Sequence, residues 1–236
     1  MRTLAKDRSR VVEVHPRIVR ITHWLNAVAI FIMVGSGWHI YNNEPIFAWL
    51  RFPNWATIAG DPELTYKLNG DVGFGNALLW HFAAMWLLVL NGLVYVGYGL
   101  ISGRFRRKLI PISIRAIVAD IAAALRFKLS HDDISVYNAV QKLLYIGILF
   151  VLALTVLSGL AIWKPVQFQE LTALFGGFQG ARLVHFLCMS AIVLFVIVHV
   201  TLALIVPSTL VAMVTGRARV PAISDPAPLH PLPPAE

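Results

Sequence analysis

Four stretches of this chain are apolar for about the length that a bilayer demands: Ile21–Tyr41, Phe74–Leu100, Asn138–Trp163 and Ala181–Val206. Crossing the hydrocarbon core takes roughly 20 apolar residues in a helix. In lipid the backbone groups must pair within their own segment, so helix is the form expected for a lone spanning stretch. The expected fold class is therefore all-α: an integral membrane four-transmembrane-helix bundle. The first segment is not read as a cleaved signal peptide, because it lacks an A-x-A-like site and its apolar run is too long.

Composition narrows the alternatives. Of 236 residues, 58% are hydrophobic and 14% charged, against about half and a quarter in a soluble domain. A disordered chain, a collagen and a soluble dinucleotide-binding enzyme are excluded. The single cysteine, Cys188, excludes a disulfide framework, a zinc CxxC pair, a cysteine-held iron–sulfur cluster and the C-x-x-C-H attachment of a c-type haem. Cys188 itself reads as a small buried hydrophobe.

The net charge of +8 would suit nucleic acid if it were clustered on one soluble face. It is instead distributed by side of the membrane. Arg2, Lys6, Arg8, Arg10, Arg17 and Arg20 precede the first span. Arg104, Arg106, Arg107, Lys108, Arg115, Arg126, Lys128 and Lys142 lie between spans two and three or at the start of span three, and Arg217 and Arg219 follow the fourth. The opposite side holds only Arg51, Lys67, Lys164 and Arg182. Positive charge stays inside, so both termini are expected in the cytoplasm in a multi-pass membrane protein. No nucleic-acid partner is expected.

The connections differ in character. Asn42–Gly73, outside, carries Glu44, Asp61, Glu63, Asp71, Trp49 and Trp55 and is expected to pack as a small cap. Lys164–Gly180 is shorter, with a Gly176-Gly177 break. Inside, Ser113–Leu129 puts Ile114, Ile117, Val118, Ile121, Leu125 and Leu129 on one helical face, the pattern of an extra amphipathic helix lying in the membrane interface. Residues 1–216 are read as the membrane domain and 217–236, ending PAPLHPLPPAE, as a disordered cytoplasmic tail. No internal repeat is evident.

Ionisable groups inside spans are costly and mark function. His185 and His199 are the informative pair. At fourteen residues apart they fall about 40° short of four full circles, so they share one face of the fourth helix, roughly 21 Å apart along its axis. A single metal needs its ligands within a few ångströms; two ligands on one face, one near each surface, suit two stacked haems. Depth supplies the partners. Span four begins outside, so His185 is outer and His199 inner. His81 lies in the outer first turns of span two, and His23 in the inner first turn of span one. The expected axial pairs are His81 with His185 and His23 with His199. His39, about 160° around the helix from His23, is read as a loop or propionate partner. No attachment cysteine exists, so the cofactor is expected to be two haem b, held without covalent bonds.

At these residues the chain resembles the bacterial dihaem cytochrome b family with a four-helix core. That family includes the cytochrome b membrane subunits of nickel–iron hydrogenase, formate dehydrogenase gamma, and thiosulfate reductase or molybdopterin-oxidoreductase-associated types. The likeness runs from Val14 to Val214. Its carriers are RITHWLNA at Arg20–Ala27, GSGWHIY at Gly35–Tyr41, LLWHFAAMW at Leu78–Trp86, YNAVQKLLY at Tyr137–Tyr145, ARLVHF around His185 and VIVHV around His199. The resemblance implies two bis-histidine b haems, electron exchange with membrane quinone, and docking to an extracytoplasmic (periplasmic) redox subunit. The length of the first outer loop is closer to members that serve a molybdenum oxidoreductase. The alternative is a self-sufficient superoxide:quinone oxidoreductase of the same fold.

Imidazoles on both faces leave no open iron position, so one-electron carriage is expected rather than oxygen or substrate binding. Arg17, Arg20, Lys142, Arg182 and Lys164 stand where they could neutralise propionates. A quinone site is expected where Tyr137, Asn138, Gln141 and Lys142 open the third span, with His131 and Asp132 just before it as a proton path.

Overall fold

The structure, a computed structural model, describes residues 9–58, 75–110, 113–125 and 139–221. Four helices long and apolar enough to cross a membrane dominate it. They are α1 (Arg17–Asn43), α2 (Gly75–Ile101), α5 (Ala139–Trp163) and α7 (Gly177–Ile205). Each matches an apolar stretch of the sequence to within a few residues at either end, and α1 and α7 begin four residues before theirs. Their lateral surfaces stay apolar and exposed, as at Phe31, Leu79, Leu90, Phe150, Leu194 and Leu204, which is the surface a bilayer solvates. Many of the buried positions are small instead: Ala29, Ser36, Ala77, Ala84, Ser158, Ala161 and Ala181. Small residues let membrane helices approach closely where water supplies no hydrophobic drive between them. The helices pack chiefly as two hairpin pairs, α1 with α2 and α5 with α7.

Asn91 adds a polar tie inside the first pair. Its Nδ2 donates to the carbonyl of Thr22 and to Oδ1 of Asn26, each at 2.7 Å. Shorter elements complete the chain: α3 (Arg104–Leu109), α4 (Ile114–Leu125), α6 (Gln169–Leu174) and α8 (Pro207–Thr215). The amphipathic inner helix is α4, with Ile114 and Val118 exposed. Asp120 on it accepts a hydrogen bond from the backbone N–H of Ala139 at 2.7 Å, capping one of the free N–H groups that open α5. Gly176 and Gly177 both adopt positive φ, a conformation that glycine tolerates and that the tight turn into α7 needs.

The chain termini differ from expectation. Strand β1 (Ser9–Glu13) pairs antiparallel with β2 (Arg217–Pro221), Val11 opposite Arg219. The disordered tail expected from residue 217 therefore does not hold for its first five residues. β-pairing needs a partner strand, and that partner lies some 200 residues away, where no local pattern announces it. Residues 222–236 lie outside those described. Pro207 breaks the last span from α8, and Gly216, at positive φ, ends α8 so that its carbonyl accepts from the backbone N–H of Val14 at 2.8 Å and of His15 at 3.2 Å. The first and last described segments thus meet at one end of the bundle, called inner below.

Candidate functional site

Two histidine pairs face each other inside the bundle, one near each end. At the inner end the rings of His23 on α1 and His199 on α7 have centroids 6.1 Å apart. At the outer end His81 on α2 and His185 on α7 are 6.4 Å apart. These are the pairs that depth alone suggested. Imidazole nitrogen binds a first-row metal at about 2 Å. Adding roughly 1 Å from nitrogen to ring centre on each side puts two imidazoles on one metal about 6 Å apart, centroid to centroid. Both separations fit one metal held between each pair. Among the described residues no group of three or more His, Cys, Asp or Glu gathers to hold a metal ion, so the arrangement offers two ligands per centre, as bis-histidine haem requires.

The outer pair also carries its proton chemistry on view. Nδ1 of His185 lies 3.0 Å from the carbonyl of Thr155 and 3.1 Å from Oγ of Ser158. A carbonyl can only accept, so Nδ1 bears the hydrogen and Nε2 keeps the lone pair that a metal takes. His81 repeats the scheme on α1: its ring bonds the backbone of Met33, and its Nδ1 lies 3.0 Å from Oγ of Ser36. In the inner pair, Nδ1 of His23 is buried without a hydrogen-bond partner among the described residues, and His199 stacks on Phe195 with centroids 5.6 Å apart.

The remaining expected residues fall as follows. His39 does not sit at a loop surface; it is 1% exposed, among the most deeply buried side chains. The outer loop folds back over the outer end of α1. Asn42 clamps it, donating to the carbonyl of Phe52 at 2.7 Å and accepting from its N–H at 2.9 Å. Phe52 stacks on Trp38, 4.6 Å between centroids, and Ile58 N–H reaches the carbonyl of Gly35 at 3.1 Å. The described part of the expected cap, up to Ile58, is thus built on α1, with Trp49 and Trp55 exposed on it.

Several cations suggested for propionates are engaged by the protein itself. Arg182 bonds the backbone carbonyl of Glu44 and pairs with its carboxylate at 3.8 Å. Lys164 lies over the Trp163 ring at 5.2 Å. Arg20 donates to the carbonyl of Val214 at 2.6 Å. Arg17 and Arg20, with Glu13, Thr215, Gly216 and Arg217, line a polar inner cavity of about 260 Å³. Of the quinone candidates, Gln141 and Lys142 stand in the first turn of α5, beside the α4 cap; Tyr137, Asn138, His131 and Asp132 lie outside the described residues.

Three features escaped the sequence reading. Ser36 and Ser158 look like ordinary small residues in apolar runs, and only the tertiary structure sets them against the histidines. His15, before the first span, is buried, its backbone N–H bonded to the carbonyl of Gly216. Desolvation, then the charges of Arg104, His23, Lys108 and Arg20, push its pKa down from the usual 6.5 to about 4.

The sequence profile of prokaryotic cytochrome b561 matches residues 14–216. A protein of Azospira oryzae described as a putative protein-methionine-sulfoxide reductase subunit, YedZ1, is 48% identical over 204 residues, covering 86% of this chain and 96% of that protein.

Proposed function

The chain belongs to the prokaryotic cytochrome b561 family, whose members carry electrons in the membrane with haem b, and from that premise we propose that it is the membrane subunit linking quinol to an extracytoplasmic protein-methionine-sulfoxide reductase. The observation that carries the reading is the pair of histidine couples, 6.1 and 6.4 Å apart at opposite ends of the bundle. His23 and His199 would hold the inner haem, His81 and His185 the outer. Haem iron with both axial positions filled supplies one-electron transfer and no substrate site. Two such centres at different depths join the two faces of the membrane.

The partner is inferred from the Azospira relative, whose description supports it. Reducing a methionine sulfoxide consumes two electrons and two protons and yields methionine and water, so electrons flow outward, from quinol to partner. The exposed Trp49 and Trp55 on the outer loop lie at the face where that partner would dock. Quinol would give its electrons at the inner end, near Tyr137, Asn138, Gln141 and Lys142, with its protons released on the cytoplasmic side. The positive-inside count supports the inner-membrane orientation, with both termini cytoplasmic.

The test is haem analysis of the purified chain and of single histidine variants. A pyridine haemochrome assay is expected to give two b haems per chain, extractable with acidic acetone. His199→Leu and His23→Leu are each expected to remove one potentiometric component, and His185→Leu and His81→Leu the other. A quinol analogue should still reduce the inner haem in His185→Leu. One haem per chain, or loss of the same component in His23→Leu and His81→Leu, overturns the pairing. Co-purification of a periplasmic methionine-sulfoxide reductase tests the partner separately, and superoxide-driven quinone reduction by the chain alone would favour the self-sufficient alternative.

A further inference from the structure

The outer pair is supported twice over by the same local device. In α1 the sequence Ser36-Gly37-Trp38-His39-Ile40-Tyr41 and in α5 the sequence Ser158-Gly159-Leu160-Ala161-Ile162-Trp163 share the pattern S-G-x-x-I-aromatic. Each serine hydroxyl donates to the carbonyl four residues back, Ser36 to Ile32 at 2.7 Å and Ser158 to Leu154 at 2.8 Å. With its hydrogen so committed, each Oγ turns lone pairs to a histidine Nδ1–H on the next long helix, at 3.0 and 3.1 Å. The backbone bond comes from the residue three before the serine in both helices, Met33 for His81 and Thr155 for His185. The glycine after each serine lies against the ring. A Cβ on Gly37 would stand 3.4 Å from Cε1 of His81, and one on Gly159 3.3 Å from Cε1 of His185. Ser36 and Ser158 are both fully buried. Five correspondences in one register, on two helices with no other likeness evident in sequence, mark one structural motif used on both sides of a single centre.

We propose that Ser36-Gly37 and Ser158-Gly159 are matched positioning elements for the outer centre, fixing the tautomer and orientation of His81 and His185 and setting the potential of the iron between them. The proposal rests on the reading that these two histidines hold the outer haem. Hydrogen-bond acceptors at Nδ1–H raise the basicity of an imidazole ligand, and a more basic ligand favours ferric over ferrous iron, lowering the potential. Among the described residues the inner pair has no equivalent serine in hydrogen-bond contact, so the device also separates the two potentials. It holds the outer centre below the value it would have with unsupported imidazoles.

The test uses the intact membrane protein in detergent, with Ser36→Ala, Ser158→Ala and the double variant. Haem content is counted first in the wild type; fewer than two b haems, or an outer component indifferent to His81→Leu and His185→Leu, refutes the underlying reading and not the serines. Given two haems, the outer component is expected to move to higher potential in each serine variant, farther in the double. The inner component in the same titration stays in place, as does total haem. The carbonyls of Met33 and Thr155 remain as acceptors, so each single shift is partial. The ferric low-spin EPR signal of the outer haem should change in step. Should an alanine variant lose the outer haem, Thr at that position, which keeps the hydroxyl, is expected to restore it. An unmoved outer potential with haem retained, or haem loss that Thr does not repair, overturns the proposal and leaves the serines a role in helix packing alone.

Discussion

Replacing Gly159 with alanine should loosen the outer histidine even though alanine is the better helix former. In a helix interior Gly→Ala gains about 0.5–1 kcal/mol from backbone entropy. Against that, the new methyl carbon would lie 3.3 Å from Cε1 and 3.6 Å from Nδ1 of His185, so the ring must retreat by a few tenths of an ångström. The ring cannot do so freely, because Thr155 and Ser158 hold Nδ1 at 3.0 and 3.1 Å. Overpacking of this kind costs about 1–3 kcal/mol, so the net change is a loss of roughly 0–2.5 kcal/mol. Gly147 on the same helix is the internal reference: a Cβ there meets nothing within 4 Å, and Gly147→Ala should show the propensity gain alone. The difference between the two variants isolates the contact at about 1–3 kcal/mol. Thermal unfolding followed with a thiol-reactive dye reads it directly, because the chain's one cysteine, Cys188, is buried. Potentiometry of the outer haem reads the displacement of the ring. If Gly159→Ala melts with Gly147→Ala and leaves the outer potential where it was, the close approach of glycine and histidine has no energetic weight and the reasoning fails.

Asn91→Ala removes both of its bonds to α1 and should destabilise the bundle by about 0.5–2 kcal/mol, the range of hydrogen bonds between membrane helices; an unchanged melting temperature would refute a structural role for the tie. His15 gives a pH dependence. Its folded pKa of about 4 lies below the unfolded 6.5, so the unfolded chain binds the proton more readily. The stability contributed by neutral His15 is complete above pH 6.5 and is lost as pH falls from 6.5 through 4. His15→Gln should flatten the fall in melting temperature between pH 7 and 5, and equal slopes for variant and parent would rule the mechanism out. Gln141→Ala should slow reduction by a quinol analogue while haem content stays at the parent value, and an unaltered rate would remove Gln141 from the quinone site.

Much of the architecture follows from the amino-acid sequence alone. Spans are set by runs of apolar residues against a fixed bilayer thickness, and the helix ends in the structure fall within a few residues of those expected. Depth follows from counting at about 1.5 Å per residue along a helix, so the matching of His81 to His185 and of His23 to His199 was available before any coordinate. What depth does not contain is lateral position. Which face of α1 meets which face of α2 depends on packing between helices that are distant in sequence. Ser36 and Ser158 therefore read as featureless until α2 and α7 bring imidazoles against them. The same holds for Asn42, which binds the returning outer loop at Phe52, and for Asp120, which caps a helix beginning nineteen residues later. The pairing of β1 with β2 is the extreme case. An edge of five residues gains its hydrogen bonds only from a partner, and that partner comes within reach because four spans return the chain to the side on which it began. Hydropathy and helical rise are properties of a segment; ligand support, capping and strand pairing are properties of neighbours, and neighbours exist only once the bundle has formed.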